Sequence, residues 1–174
     1  PRHTGGMRIT PRRLAIGMSL WAPNLFSGIR VKKFSDDWTR ATVELHVNVI
    51  TRNYVKTAFG GSLSAMTDPY FFMLVMHQLG RDYVVWDTRG EIEMLKPGRG
   101  VLTAHFHVPS EQAATLRERA KGGAKVLEWF DTEITDAAGD VVDPTYKQAA
   151  TAAGSGVVAA LIGAVLASAA IFAI

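Results

Sequence analysis

The stretch Asn53-Tyr54-Val55-Lys56-Thr57-Ala58-Phe59-Gly60-Gly61-Ser62-Leu63-Ser64-Ala65-Met66-Thr67-Asp68-Pro69, continuing through Tyr70-Phe71-Phe72-Met73-Leu74-Val75-Met76 to Leu79-Gly80, decides the fold. A polar turn leads into a glycine pair, and a long apolar run rich in helix formers follows, with Gly80 placed as a stop. The spacing predicts one long helix over 60–79. A helix of this kind, hydrophobic on all sides, has to be buried, and the strand-like segments around it offer a sheet to bury it against.

Two features of the run carry chemistry. Gly60 and Gly61 let a ligand approach the backbone where the first N–H groups of a helix lack intrahelical partners and the dipole is positive, an arrangement suited to a developing oxyanion. Asp68 is the one carboxylate in the run. At ~1.5 Å rise per residue it lies roughly 10 Å along the helix from Gly61, so it cannot serve its own helix start. A mechanism that uses both groups has to take Asp68 from a second copy of the chain, which makes a dimer part of the chemistry. The residues leave an alternative open. Asp68-Pro69 is also a good N-cap and N1 pair, in which Asp68 restarts a helix kinked where Pro69 removes the bond to the Ala65 carbonyl.

The stretch resembles the hot-dog-fold acyl-CoA thioesterases, above all the branch typified by the phenylacetate-pathway enzymes. That branch has an Asn, then His-Gly-Gly six residues on, then an Asp nine after the His; Asn53, Phe59-Gly60-Gly61 and Asp68 stand at this spacing. The motif Asn-Tyr-x-x-Thr-x-Phe-Gly-Gly-Ser-Leu-x-Ala-Met-Thr-Asp-Pro, together with Leu95-Lys96-Pro97-Gly98-Arg99-Gly100, looks more closely like a hot-dog subfamily described as tetrameric acyl-CoA thioesterases. The likeness spans residues 10–146. It implies an α+β domain with an antiparallel sheet wrapped around one long central helix, and hydrolysis of an acyl-CoA thioester at a dimer interface. Asp68, Gly61 and Asn53 take the catalytic places, as general base or nucleophile, carbonyl polariser and orienting amide. Gly60, Phe59, Thr57 and Ser62 line the substrate site, and Lys96 and Arg99 are cations that hold coenzyme A phosphates. No cofactor is implied beyond the coenzyme A of the substrate, and the assembly is a homodimer or homotetramer. Phe59 departs from the pattern: it replaces a His and can neither donate a hydrogen bond nor place water, which keeps a non-catalytic acyl-binding role open.

Outward from this stretch, 174 residues that are 48% apolar suffice for one domain with a sizeable core. Cysteine is absent, which excludes disulfides and thiolate metal sites and fits a reducing, cytoplasmic compartment. A surplus of 19 basic over 16 acidic residues is a poor nucleic-acid signature, although it suits a polyanionic ligand. His105 and His107 share one strand face but lack a third ligand of metal-binding type, so no metal is expected.

Residues 1–9 read as a leader or disordered segment, 10–147 as the domain and 148–155 as a linker. Thr10-Pro11 starts a short helix with Leu14, Met18 and Trp21 on one stripe, ended by Pro23. Strands are expected over 28–34, 40–50, 125–135 and 140–147, and Ser110 as the cap of a helix over 111–121 that Gly122-Gly123 stops. Segments 83–95 and 101–108 read as the two arms of a hairpin turning on Pro97-Gly98. The tail, 156–174, is apolar apart from Ser168 and long enough to span a bilayer as a helix. A membrane anchor, a helix buried in an oligomer and a non-native end are all open readings of it.

Overall fold

The structure, a computed structural model, describes residues 9–154. Strand β1 (Ile29–Phe34) and β2 (Arg40–His46) form a hairpin whose turn is tied by Asp37, its carboxylate accepting from the Thr39 N–H at 3.1 Å and the Thr39 hydroxyl at 2.8 Å. β3 (Tyr83–Glu91), β4 (Val101–His107), β5 (Val126–Thr135) and β6 (Val141–Gly154) complete a six-stranded sheet in the order β1-β2-β4-β5-β6-β3, antiparallel at every pairing. Strict alternation builds one buried face: Ala41, Val43 and Leu45 on β2, and Leu102, Ala104 and Phe106 on β4.

The central helical run lies against this face, broken into α3 (Gly60–Ala65) and α4 (Asp68–Leu79). Pro69 has no N–H to give the Ala65 carbonyl, and Thr67 fills the break by donating its hydroxyl to the Ser64 carbonyl at 2.9 Å and the Leu63 carbonyl at 3.2 Å. α4 buries Tyr70, Phe71, Leu74, Val75 and Leu79. Phe71 stacks on Phe130 at 5.2 Å and meets Phe106 edge-on at 5.0 Å, so three elements converge on one aromatic cluster. Each such side chain contributes about 1.5–3 kcal/mol on burial, which is why this helix and not its neighbours sets the core.

α1 (Pro11–Leu20) starts as expected, with Thr10 accepting from the Arg13 N–H, and its Ser19 hydroxyl accepts from the Val31 N–H at 2.9 Å, covering the β1 edge. Several expectations need correction. Pro23 does not end the chain's helical path but opens a second short helix, α2 (Ala22–Ser27), since proline is tolerated in a first turn; Trp21, expected on the buried stripe, is exposed. β2 stops at His46, because Asn48 draws the backbone of Ile50 and Thr51 into a turn. Ser110 is the first residue of α5 (Ser110–Arg119), with Pro109 before it as cap.

The expected hairpin of β3 and β4 does not form. β4 pairs with β2 and β5, whereas β3 goes to the far edge and pairs with β6. The segment between them crosses the end of the sheet, with Leu95 and Lys96 N–H both reaching the Val142 carbonyl. β6 runs on to Gly154, so 148–154 are strand and not linker. The apolar tail 156–174, and the leader over 1–8, lie outside the described residues; among the described residues no helix is long and apolar enough to cross a membrane.

Candidate functional site

Residues 47–59 fold into a compact loop because Asn53 satisfies its backbone. The Asn53 Oδ1 accepts from the Thr57 N–H at 3.0 Å, and its Nδ2 donates to the Thr57 hydroxyl at 2.9 Å and the Ala58 carbonyl at 3.1 Å. The Ala58 N–H in turn donates to the Gly98 carbonyl at 2.8 Å, which fastens the loop to the crossing segment. Between the two lies a cleft of about 270 Å³ lined by Asn53, Thr57, Ala58, Gly60, Leu63 and the segment 94–98. Gly98 is buried at its floor, and a Cβ there would meet Leu102 Cδ1 at 2.5 Å, so only glycine lets the segment sit this low.

Helical hydrogen bonding begins when the Ser62 and Leu63 N–H groups donate to the Phe59 carbonyl, so the N–H groups of Gly60 and Gly61 precede it. Both glycines are crowded from outside. A Cβ on Gly60 would come 2.7 Å from the Met94 methyl, and one on Gly61 would run into the Phe59 ring. Phe59, 56% exposed, therefore folds its ring back over Gly61.

Asn53, Thr57, Gly60 and Lys96 are brought together at the cleft, whereas the other expected residues surround it. Ser62 is buried in the first turn of α3. Lys96 Nζ lies 3.2 Å from both Asp136 and Asp140, so its charge is shared with two carboxylates. Arg99 is exposed and donates to the Lys56 carbonyl at 3.2 Å. His105 and His107 sit on the exposed face of β4.

Asp68 opens α4 and is absent from the cleft lining of its own protomer. It presents part of its surface to solvent, yet the protein around its carboxyl is enough for burial to raise its pKa above the ordinary carboxylate value. A second acid, Asp87 on β3, escaped the sequence reading. Burial, and next the charge of Asp68, push its pKa up to about 7. The signal was available in a carboxylate two residues from Val85, on the inward face of an otherwise apolar strand start.

The fold and several solved structures agree. A Pseudomonas aeruginosa protein of unknown function called "Probable Thioesterase" superposes with a TM-score of 0.71 at 16% identity, over 86% of this chain and 99% of that one. Thioesterase HI1161 of Haemophilus influenzae gives 0.63 at 12% identity over 84% and 92%. The Escherichia coli PaaI protein of the phenylacetic acid degradation operon gives 0.56 at 19% identity over 80% and 89%. These likenesses establish the hot-dog fold. Among curated proteins there is no match. The family described as a domain of unknown function, DUF4442, matches residues 12–149, most of the chain, and the protein belongs to that family.

Proposed function

We propose that the chain is a thioesterase that hydrolyses an acyl-CoA at the seam of a homodimer. The observation that carries this reading is the pairing of a glycine turn beside a cleft, which Gly60 lines, with an acid of raised pKa, Asp68, that begins the next helix and does not line its own cleft. The Gly61 N–H, with Gly60 shaping the turn, polarises the thioester carbonyl of a substrate whose acyl part enters the cleft beside Leu63 and Met94. Asp68 of the second protomer takes the proton of the attacking water, or attacks the carbonyl itself, and Asn53 holds the loop that frames the site. Arg99, exposed beside the cleft segment, and Lys96, once released from Asp136 and Asp140, are the cations that would meet the phosphates of coenzyme A. No further cofactor is required.

Support for the dimer comes from the sheet edge. Among the described residues β3 is a terminal strand, paired on one side only, and exposed apolar side chains, Tyr54, Val55, Phe59, Met94 and Leu95, stand on the loop and crossing segment that frame the cleft. A tetramer, as a dimer of such dimers, extends the same reading.

A second reading rests on Phe59. With an apolar ring over Gly61 where a His would donate, the domain would bind an acyl thioester without cleaving it. An acyl-CoA panel assayed for released thiol separates the two, with Asp68→Asn as control. Hydrolysis expects turnover in the parent and at least a ~100-fold loss in the variant at unchanged melting temperature, the scale of removing an acid-base group. Binding without thiol release would leave only the acyl-binding role.

A further inference from the structure

On α1, Arg12, Ile16 and Leu20 recur at four-residue steps on the side turned away from Leu14, Ala15 and Met18, which pack on the core. Ile16 and Leu20 are exposed, and the surface continues round the α1–α2 corner through Trp21 to Phe26, which is 76% exposed. α2 stops at Gly28, whose carbonyl accepts from the His46 N–H at 2.9 Å; a Cβ on Gly28 would lie 3.1 Å from the Thr51 methyl. The end of α2 is therefore seated against the start of the 47–59 loop, where Val49 is exposed and Ile50 is 86% exposed. Six large apolar side chains on adjoining elements are more than the singly scattered ones of an ordinary water-facing surface. They are separate from Tyr54, Val55, Phe59, Met94 and Leu95, which the dimer seam takes up.

The charge around these side chains has one sign. The first carboxylate of the sequence is Asp36, so every charged side chain of α1, α2 and β1 is basic: Arg12, Arg13, Arg30, Lys32 and Lys33. Arg52, exposed, adds a cation two residues after Ile50. Asp36 and Asp37 belong to the turn at the opposite end of β1, and Glu44 on β2 is drawn to Lys32 at 3.5 Å and His46 at 2.9 Å. Pairing of this face with itself in a second copy would set like charges against one another. An acidic, apolar-bodied layer matches it instead: Trp, Phe, Leu and Ile enter the acyl boundary while guanidinium and ammonium groups stay with the phosphates. We propose that the α1–α2 corner and the tip of the 47–59 loop dock on an anionic phospholipid surface. The docking is independent of the hydrolase reading, and it brings the loop that frames the cleft to a phase rich in acyl chains.

The test is flotation of the full chain with vesicles of phosphatidylcholine alone and of phosphatidylcholine mixed with phosphatidylglycerol, at low and raised salt. Docking expects stronger capture by the mixed vesicles, weakened by salt. Phe26→Ser combined with Ile50→Ser should lower that affinity at least ~tenfold. Arg12→Gln combined with Arg52→Gln should lower it roughly 25-fold, about fivefold per cation, and both pairs should leave the melting temperature unchanged. The apolar segment 156–174 is present in every variant, so capture that survives both pairs belongs to that segment and overturns the proposal. The chain has no cysteine, which allows a polarity-sensitive dye to be attached to Phe26→Cys and, for comparison, to Ala114→Cys on the exposed side of α5. The dye at position 26 should shift to the blue on mixed vesicles and the dye at position 114 should not. Equal affinity for both kinds of vesicle, or a dye at position 26 indifferent to them, overturns the docking. Replacements that lower the sedimentation mass and leave vesicle capture unchanged also overturn it, by assigning the face to a second copy.

Discussion

Replacing Asp87 by Asn should make the protein's stability less sensitive to pH, and the size of the effect follows from its burial. In the unfolded chain this carboxyl has an ordinary pKa of 3.8, while in the folded protein it is pushed up to about 7. Between those values the folded state binds more protons than the unfolded state, so the slope of stability against pH is negative. The stabilisation tied to the proton is complete below pH 3.8 and lost as pH rises to about 7. At ~1.36 kcal/mol per pH unit, the interval from pH 5 to 7 costs the parent about 2.7 kcal/mol. Asparagine is isosteric and does not titrate, so it feels none of this, and any constant penalty for its amide cancels when the two pH values are compared. Thermal melts of parent and variant at pH 5 and pH 8 read the difference directly. With about 2–4 °C per kcal/mol for a chain of this size, the parent should lose roughly 5–10 °C more than the variant on going to pH 8. Asp68, raised by burial, acts with the same sign in both proteins. Parallel melting curves at the two pH values would refute the argument that Asp87 is buried with its proton.

Two further outcomes concern the cleft. Gly98→Ala places a methyl 2.5 Å from Leu102 Cδ1 and 3.3 Å from Val142 Cγ1, so the denaturation midpoint should fall by the equivalent of ~1–3 kcal/mol and the cleft should take a long acyl chain less well, read as a raised KM. Asn53→Ala removes the acceptor of the Thr57 N–H and the donor to the Ala58 carbonyl, at a cost of ~1–3 kcal/mol for groups left unpaired. Hydrogen exchange at the Thr57 amide should accelerate while exchange at β2 and β4 is unchanged.

The elements were legible where residue patterning and burial coincide. Alternation at Ala41, Val43 and Leu45 has one solution, and the apolar run ending at Gly80 needs a sheet to cover it. The break at Thr67 was legible too, because Pro69 lacks a donor. The partner of β3 was not. Pro97-Gly98 has the chemistry of a turn, but turn chemistry is local and does not say which strand comes next in space; Gly98 serves instead as the low point of a crossing, with no room for a side chain. Residues 148–154 were misread for a related reason. Alanine has little strand preference, yet β6 is bonded on both sides, by β5 and β3, so the backbone of its neighbours fixes what its side chains do not. At the site, the turn at Asn53 and the helix start at the glycines follow from local pattern, whereas the shift of Asp87 comes from burial and next from the charge of Asp68, 19 positions away in sequence.

Whether Asp68 caps a helix or handles protons can be argued from the sign of its shift. A carboxylate that caps is stabilised as an anion, by N–H donors and by the positive end of the dipole, and its pKa falls. Asp68 has the position for this, in the first turn of α4, but Thr67 occupies the cap and the pKa of Asp68 rises because burial outweighs the dipole. A helix start is therefore spending its favourable field on an acid that the surrounding protein is simultaneously making easier to protonate. Burial favours the protonated form of this carboxyl, and an acid that can gain a proton is what abstraction from water needs. At Asp87, too, burial raises the carboxyl, and its Oδ1 has no hydrogen-bond partner among the described residues. Proton handling by Asp68 is the role proposed above, and loss of thiol release in Asp68→Asn at an unchanged melting temperature is its test.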